Sequence, residues 1–173
     1  SNKITNMFLI GDYLMVGKIN NIFNLDANGG LHPLMDDLKE NRSTDNFVYS
    51  AQWQTAVYFS LQNGMGEVPT YNSFDIMGPL TKIDDIGKVG AVVGLSADRD
   101  WLYAAYDEGT NTHIYKGRDL RRGGQLQWQW CPWVFVGTNA CATIKVVQHT
   151  TTDRRLWFGY GNHTGYVTIT DNP

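Results

Sequence analysis

A short motif recurs four times along the chain. Leu14-Met15-Val16-Gly17, Val57-Tyr58-Phe59-Ser60, Leu102-Tyr103-Ala104-Ala105 and Leu156-Trp157-Phe158-Gly159 are apolar runs that end in small residues. Their starts lie 43, 45 and 54 residues apart. Self-similarity at this spacing marks a chain built from stacked copies of one small unit, and it limits the fold before any other property does. A β-rich segment precedes each copy: Met7 to Ile10, Phe47 to Ser50, Ala91 to Gly94 and Thr143 to Val147.

Two further elements follow. Ile22 to Leu25, Ser73 to Ile76, His113 to Lys116 and Tyr166 to Ile169 alternate as half-buried strands do. Turn-formers separate them from the main motif: Lys18 to Asn21, Gln62 to Gly66, Asp107 to Asn111 and Gly161 to Gly165. The last element carries a proline, in Leu31-His32-Pro33-Leu34, Met77-Gly78-Pro79-Leu80 and Trp130-Cys131-Pro132-Trp133. Proline cannot donate to a strand ladder, so this element is expected as the outermost strand of its unit. Pro173 would be the fourth copy's counterpart. Met35 to Ser43 fits a short helix or a loop.

Up to four antiparallel strands in about 40 to 55 residues match one β-propeller blade. The expected fold is therefore all-β, a propeller-like array of about four blades in one domain or segment spanning 1–173. The blades fall near 4–43, 44–87, 88–138 and 139–173. Three closures stay open: a small four-bladed ring, a segment of a larger propeller, or a ring completed by other chains. Both ends read as cut from something longer.

Composition narrows the partners. A net charge of −3 gives no electrostatic reason to expect nucleic acid or an anionic membrane. No apolar run approaches the roughly 20 residues that span a bilayer. The two cysteines, Cys131 and Cys141, are expected to be unpaired, because their spacing suits neither a disulfide framework nor zinc.

Trp128, Trp130 and Trp133 are the candidate binding residues. Trp128 and Trp130 alternate and would share one strand face. Packing between blades is their expected use; stacking on a ligand or contact with a protein are the alternatives. His32, His113, His149 and His163 are scattered and form no metal-type pair, so no metal and no cofactor are expected. Asp36-Asp37, Asp84-Asp85 and Asp98/Asp100 are expected to cap turns rather than to serve hydrolysis or calcium. No nucleophile elbow, P-loop or zinc-protease motif is present, so no catalytic residue is assigned and the chain is expected not to be an enzyme.

The segments Val92 to Arg118 and Cys141 to Ile169 resemble non-WD β-propeller repeat proteins of phage and metagenomic type. The second is also similar to the blade pattern I-x-x-D-x-x-G-x-L-W-x-G-T of bacterial sensor propellers, with Thr152-Asp153-Arg154-Arg155 in place of its D-x-x-G turn. At blade level the resemblance covers nearly the whole chain. It implies a structural or interaction module, in or near a virion, with a protein partner or self-association. A carbohydrate-binding propeller that uses the tryptophans, and a fragment of a propeller hydrolase, are the alternatives.

Overall fold

Two-residue turns set the register of the molecule. Gly11-Asp12, Gln54-Thr55 and Gly161-Asn162 each join two antiparallel strands directly. The first residue of each turn has a positive φ, as primed hairpin turns require. Gln54 adopts this conformation without being glycine, at φ 53°. The computed structural model describes residues 3–34, 43–62, 64–68, 75–77, 91–122, 125–138 and 141–170.

The described residues form strands and no helix, in four antiparallel sheets. The first sheet holds β1 (Ile4–Ile10), β2 (Tyr13–Lys18), β3 (Asn21–Leu25) and β4 (Leu31–Pro33). In the second are β5 (Ser50–Trp53), β6 (Ala56–Leu61), β7 (Gly64–Val68) and β8 (Asp75–Met77). The third comprises β9 (Ala91–Ala97), β10 (Leu102–Asp107), β11 (Thr112–Arg122) and β12 (Gln125–Gly137). The fourth has β13 (Cys141–Gln148), β14 (Arg154–Tyr160) and β15 (His163–Ile169). Every sheet is a simple meander whose strands pair in chain order.

The recurring motif occupies the second strand of each sheet, β2, β6, β10 and β14. The proline element is the outermost strand where it is described: Pro33 lies in β4 and Pro132 in β12. Gly78 to Leu80, Pro173 and Met35 to Arg42 lie outside the described residues.

The second unit departs from the expected pattern at both ends. Phe47 ends a turn, Val48 and Tyr49 lie outside any strand, and β5 begins only at Ser50. Phe47 has φ 62°, and its N–H donates to the Ser60 carbonyl at 2.6 Å. Gly64-Met65-Gly66 is not a hairpin loop but the start of β7. Gly66 pairs with the fully buried Phe59, where the neighbouring strand offers no side chain of its own. Asp75-Ile76, expected in the strand beside β6, belongs instead to the outer β8.

The sheets stack face to face in chain order. Phe8, Ile10, Met15 and Ile22 of the first sheet meet Val57, Phe59, Leu61 and Val68 of the second. Tyr58 and Met65 of the second meet Leu102, Ala104, Tyr106 and Tyr115 of the third. Tyr103, Ala105 and Ile114 of the third meet Ile144, Leu156 and Ile169 of the fourth. Each fully buried large apolar side chain contributes roughly 1.5–3 kcal/mol, so these three seams carry the fold. Polar ties reinforce them. Asn46, 1% exposed, donates to the Ile19 carbonyl and accepts from the Gln62 N–H, fastening the first sheet to the second. The Tyr49 hydroxyl, just before β5, donates to the Ala142 carbonyl of β13 at 3.1 Å, which brings the second and fourth units together on one side of the third. The first and fourth sheets do not close on one another.

Candidate functional site

The tryptophans are split between two faces of the third sheet. Trp128 and Trp130 alternate along β12 and stack at 5.5 Å with an interplanar angle of 17°. Both face the second sheet, where Trp128 wedges against Trp53 and Tyr58, each at 5.5 Å. Trp130 is only 7% exposed and lies over Gly117, its cross-strand partner. A Cβ at Gly117 would come within 2.5 Å of that indole. Pro132 pairs with Tyr115, but the next pair is Val134 with Ile114, so Trp133 is the extra residue of a β-bulge. Trp133 is three residues from Trp130, so strand alternation puts it on the opposite face, against Tyr103 at 5.2 Å, and the bulge sets Val134 on that same face. No single aromatic platform results. The described geometry gives Trp128 and Trp130 to one sheet–sheet seam and Trp133 to the next.

A cleft of about 690 Å³ opens where the β9–β10 turn, the β13–β14 turn and the end of β15 converge. Trp101, Arg118, Gln148, Thr151 and Arg154 line it. Its anchor is Asp98, whose side chain is 3% exposed. One oxygen accepts the N–H groups of Asp100 and Trp101 at 2.8 Å and so caps the turn. The other accepts the Tyr103 hydroxyl at 3.0 Å and Arg154 Nη1 at 3.2 Å. Burial, with the Asp98 carboxylate next in weight, pushes the Tyr103 phenol far above its usual range, so it stays protonated and donates. Arg154 also approaches Asp100 at 3.6 Å. The guanidinium of Arg118 lies 4.5 Å over the Trp101 ring, and the Lys116 ammonium lies 4.6 Å over it. Arg118 has no carboxylate partner among the described residues, unlike Arg154. Chemically the cleft can hold a small polar or anionic group against Arg118; it presents no nucleophile beside a base.

The four histidines sit on separate elements or turns. His32 pairs with Asp26 at 2.7 Å, and His113 approaches Glu108 at 3.4 Å. His163, expected in a hairpin loop, is the first residue of β15 and is exposed. Among the described residues no group of three His, Cys, Asp or Glu side chains is placed to hold a metal. Cys131 and Cys141 are both free. Asp36, Asp37, Asp84 and Asp85 lie outside the described residues.

An unclosed stack is expected from the sequence to leave apolar faces at its ends that favour association, without the residues being named; the structure shows which residues line them. On the first sheet, Met7 and Leu9 of β1 pair with Val16 and Leu14 of β2, which pair in turn with Phe23 and Leu25 of β3. Leu31 and Pro33 of β4 complete the rows. All eight side chains are apolar and lie on the face turned away from the second sheet. Met7 is 62% exposed and Leu9 60%. The fourth sheet's outer face is mixed. Trp157 and Tyr166 pair there at 4.8 Å, Arg155 covers Tyr166 at 4.6 Å, and Lys145 and Val147 flank them. The signal was present in the repeat, since Leu14 and Val16 align with residues buried elsewhere.

No protein-family model matches the chain, and no curated protein does. Solved structures do. The chain is similar to the extracellular domain assigned to a hybrid two-component system of B. thetaiotaomicron, with a TM-score of 0.56 at 14% identity over 96% of this chain and 22% of that one. It is also similar to the N-terminal domain of Nup159, a β-propeller, with a TM-score of 0.54 at 10% identity over 98% of this chain and 46% of that one. At such identities the likeness speaks to the fold alone. The chain spans less than half the length of either neighbour.

Proposed function

We propose that the four sheets are blades of a β-propeller and that the chain is a non-enzymatic interaction module, which binds protein through the ends of its stack. The observation that carries this reading is the outer face of the first sheet. Four strands there present an apolar face on which Met7, Leu9 and Leu31 are exposed, while the other sheets bury the positions that correspond to Leu14 and Val16 in seams. Exposed contiguous apolar patches of this kind mark association sites. The meander order, the face-to-face stacking and the propeller-like neighbours support the blade assignment. A virion setting rests on the sequence likeness alone.

Light scattering across a concentration series tests the reading. A discrete oligomer of the 19.5 kDa chain is expected. A monomer at every concentration, insensitive to charges placed on the outer face of the first sheet, would sink it.

A second reading is favoured by one observation: Arg118, in the cleft, has no carboxylate partner among the described residues. There the chain would bind a small anionic ligand. The glycan reading loses its tryptophan platform, because Trp130 is buried and Trp133 faces the other way. Isothermal titration with carboxylated and neutral sugars checks both. Heat with the acidic set alone, abolished by Arg118→Ala, favours the cleft; heat with neutral sugars revives the glycan reading.

A further inference from the structure

We propose that the outer face of the first sheet receives the outer face of the fourth sheet from a second copy of the chain, so that two copies join head to tail in one closed ring. The proposal rests on the interaction reading above and adds the partner, the pairing and the order.

The repeat itself supplies the argument. Aligned on the turns Gly11-Asp12 and Gln54-Thr55, Leu14 and Val16 match Val57 and Phe59. The motif extends the match to Leu102 and Ala104 and to Leu156 and Phe158. In the second, third and fourth sheets these residues all lie in the seam with the preceding sheet. The position between them behaves oppositely. Met15, Tyr58 and Tyr103 all lie in the seam with the following sheet. One rule therefore governs all three seams: a backward-facing surface meets a forward-facing one.

Two surfaces are left over. Leu14 and Val16 face backward, and no described sheet packs on them. Trp157 faces forward, and no described sheet packs on it. They are the two halves of one more seam of the same kind. A symmetric pairing of first sheet with first sheet would join two backward faces, a combination none of the three seams uses. Such a head-to-tail contact makes either a ring or an open filament. Tyr49, just before β5, is bonded to Ala142 of β13, so the second and fourth units approach one another on one side of the third, and that convergence favours the ring. Two copies suffice by length, since one copy matches 46% of a propeller domain of the same fold.

The test uses two variants on well-exposed positions, Leu9→Lys on the first sheet and Tyr166→Lys on the fourth. Leu9 is 60% exposed and Tyr166 48%, so each fold should survive, and thermal melting of each isolated variant checks that it does. The wild type should run at twice 19.5 kDa. Each variant alone should dissociate, with its dimerisation constant weakened at least about tenfold. Mixed in equal amounts, one of them isotope-labelled, they should form a mixed dimer in native mass spectrometry. The mixture keeps one native seam, between the fourth sheet of Leu9→Lys and the first sheet of Tyr166→Lys. Monomeric variants that stay monomeric on mixing would overturn the head-to-tail order, and a wild-type dimer indifferent to Tyr166→Lys would overturn the fourth sheet as partner. In both cases the interaction reading would stand. A mass that grows without limit, or a larger discrete ring, would overturn the two-copy closure. A wild type that never leaves the monomer would sink this proposal and the reading beneath it together.

Discussion

The first and fourth sheets hold the same rank in the stack, one at each end, yet their outer faces differ in kind. The first presents aliphatic rows with one aromatic, Phe23, shielded by the Lys18 ammonium at 4.5 Å. The fourth presents an aromatic pair under a guanidinium, and that guanidinium is held by Asp153 at 3.1 and 2.7 Å. Repeat position explains the difference better than local exposure does. Within the motif strands β2, β6, β10 and β14, the backward-facing positions in formed seams, Val57, Leu102, Ala104 and Leu156, are aliphatic or small, apart from Phe59 and Phe158. The forward-facing position between them carries a larger side chain, Met15, Tyr58, Tyr103 or Trp157.

Core replacement should separate seam from end most strongly. Phe59 is fully buried between Phe8 at 6.0 Å and Phe47 at 5.3 Å. Phe59→Ala should cost about 3–5 kcal/mol, because a cavity is left in a seam that cannot fully collapse. Leu9→Ala on the outer face should stay within about 0.5 kcal/mol under conditions where the chain is monomeric. Urea unfolding of both variants checks the contrast. Equal losses would mean that the outer face is already covered.

The ion pairs sharpen the same comparison. Asp98 is buried and serves Arg154, Tyr103 and two backbone N–H groups. Asp98→Ala should cost about 3 kcal/mol, since the partly buried Arg154 would lose its closest carboxylate and the Tyr103 hydroxyl its acceptor. Asp153 holds Arg155 on the outer face of the fourth sheet with both side chains a quarter exposed or more. Asp153→Ala should cost at most about 1 kcal/mol. Denaturant midpoints for the two variants decide; comparable shifts would place the Arg155 pair in a seam rather than on a free face.

Glycines give a smaller effect of the same sign. Gly117→Ala would press a methyl group into the Trp130 ring at 2.5 Å and should cost about 1–3 kcal/mol. Gly159→Ala meets only the Ala142 methyl at 3.6 Å and should change stability by less than about 0.5 kcal/mol. The difference in thermal midpoint reads this directly. A neutral Gly117→Ala would mean that Trp130 is free to move.

The sequence made the second strands legible because their alternation is strong and their turns are short. It also marked Pro33 and Pro132 as outer-strand residues, since proline is tolerated only at an edge. What it could not show was backbone conformation without a hydrophobic signature. Phe47 looks like strand, but its positive φ makes it the corner that enters the second sheet. Gly64 and Gly66 look like turn, but they leave room opposite Leu61 and Phe59. The odd spacing of Trp133 from Trp130 already put it on the opposite strand face; what the sequence hid was the bulge, which sets Val134 on the same face as Trp133. The cleft was hidden for a different reason. Trp101, Arg118 and Arg154 are distant in sequence, and only the apposition of the third and fourth sheets brings them together.

Acid should act on one end of the stack by a small amount. Asp26 closes the turn between β3 and β4, accepting from His32 Nε2 at 2.7 Å and from the N–H groups of Gly30 at 2.7 Å and Asn28 at 2.8 Å. The His32 hydrogen bond, followed by those from Gly30 and Asn28, holds its carboxyl below the usual 3.8. A carboxyl with a lowered folded value stabilises the fold fully above its unfolded value, and the contribution is lost as pH falls through the folded one. The turn carries β4, whose Leu31 and Pro33 form the rim of the apolar face. Acidification should therefore loosen that rim before it disturbs the seams. Carbon-detected titration of the Asp26 carboxyl should give a midpoint below 3.8, and amide exchange at β4 should rise over the same range. Asp26→Asn should remove that pH dependence and leave exchange in β10, at the centre of the stack, unchanged. A midpoint at or above 3.8 would mean that the bonds around Asp26 do not persist in solution, and the apolar face would then lack a fixed outer edge.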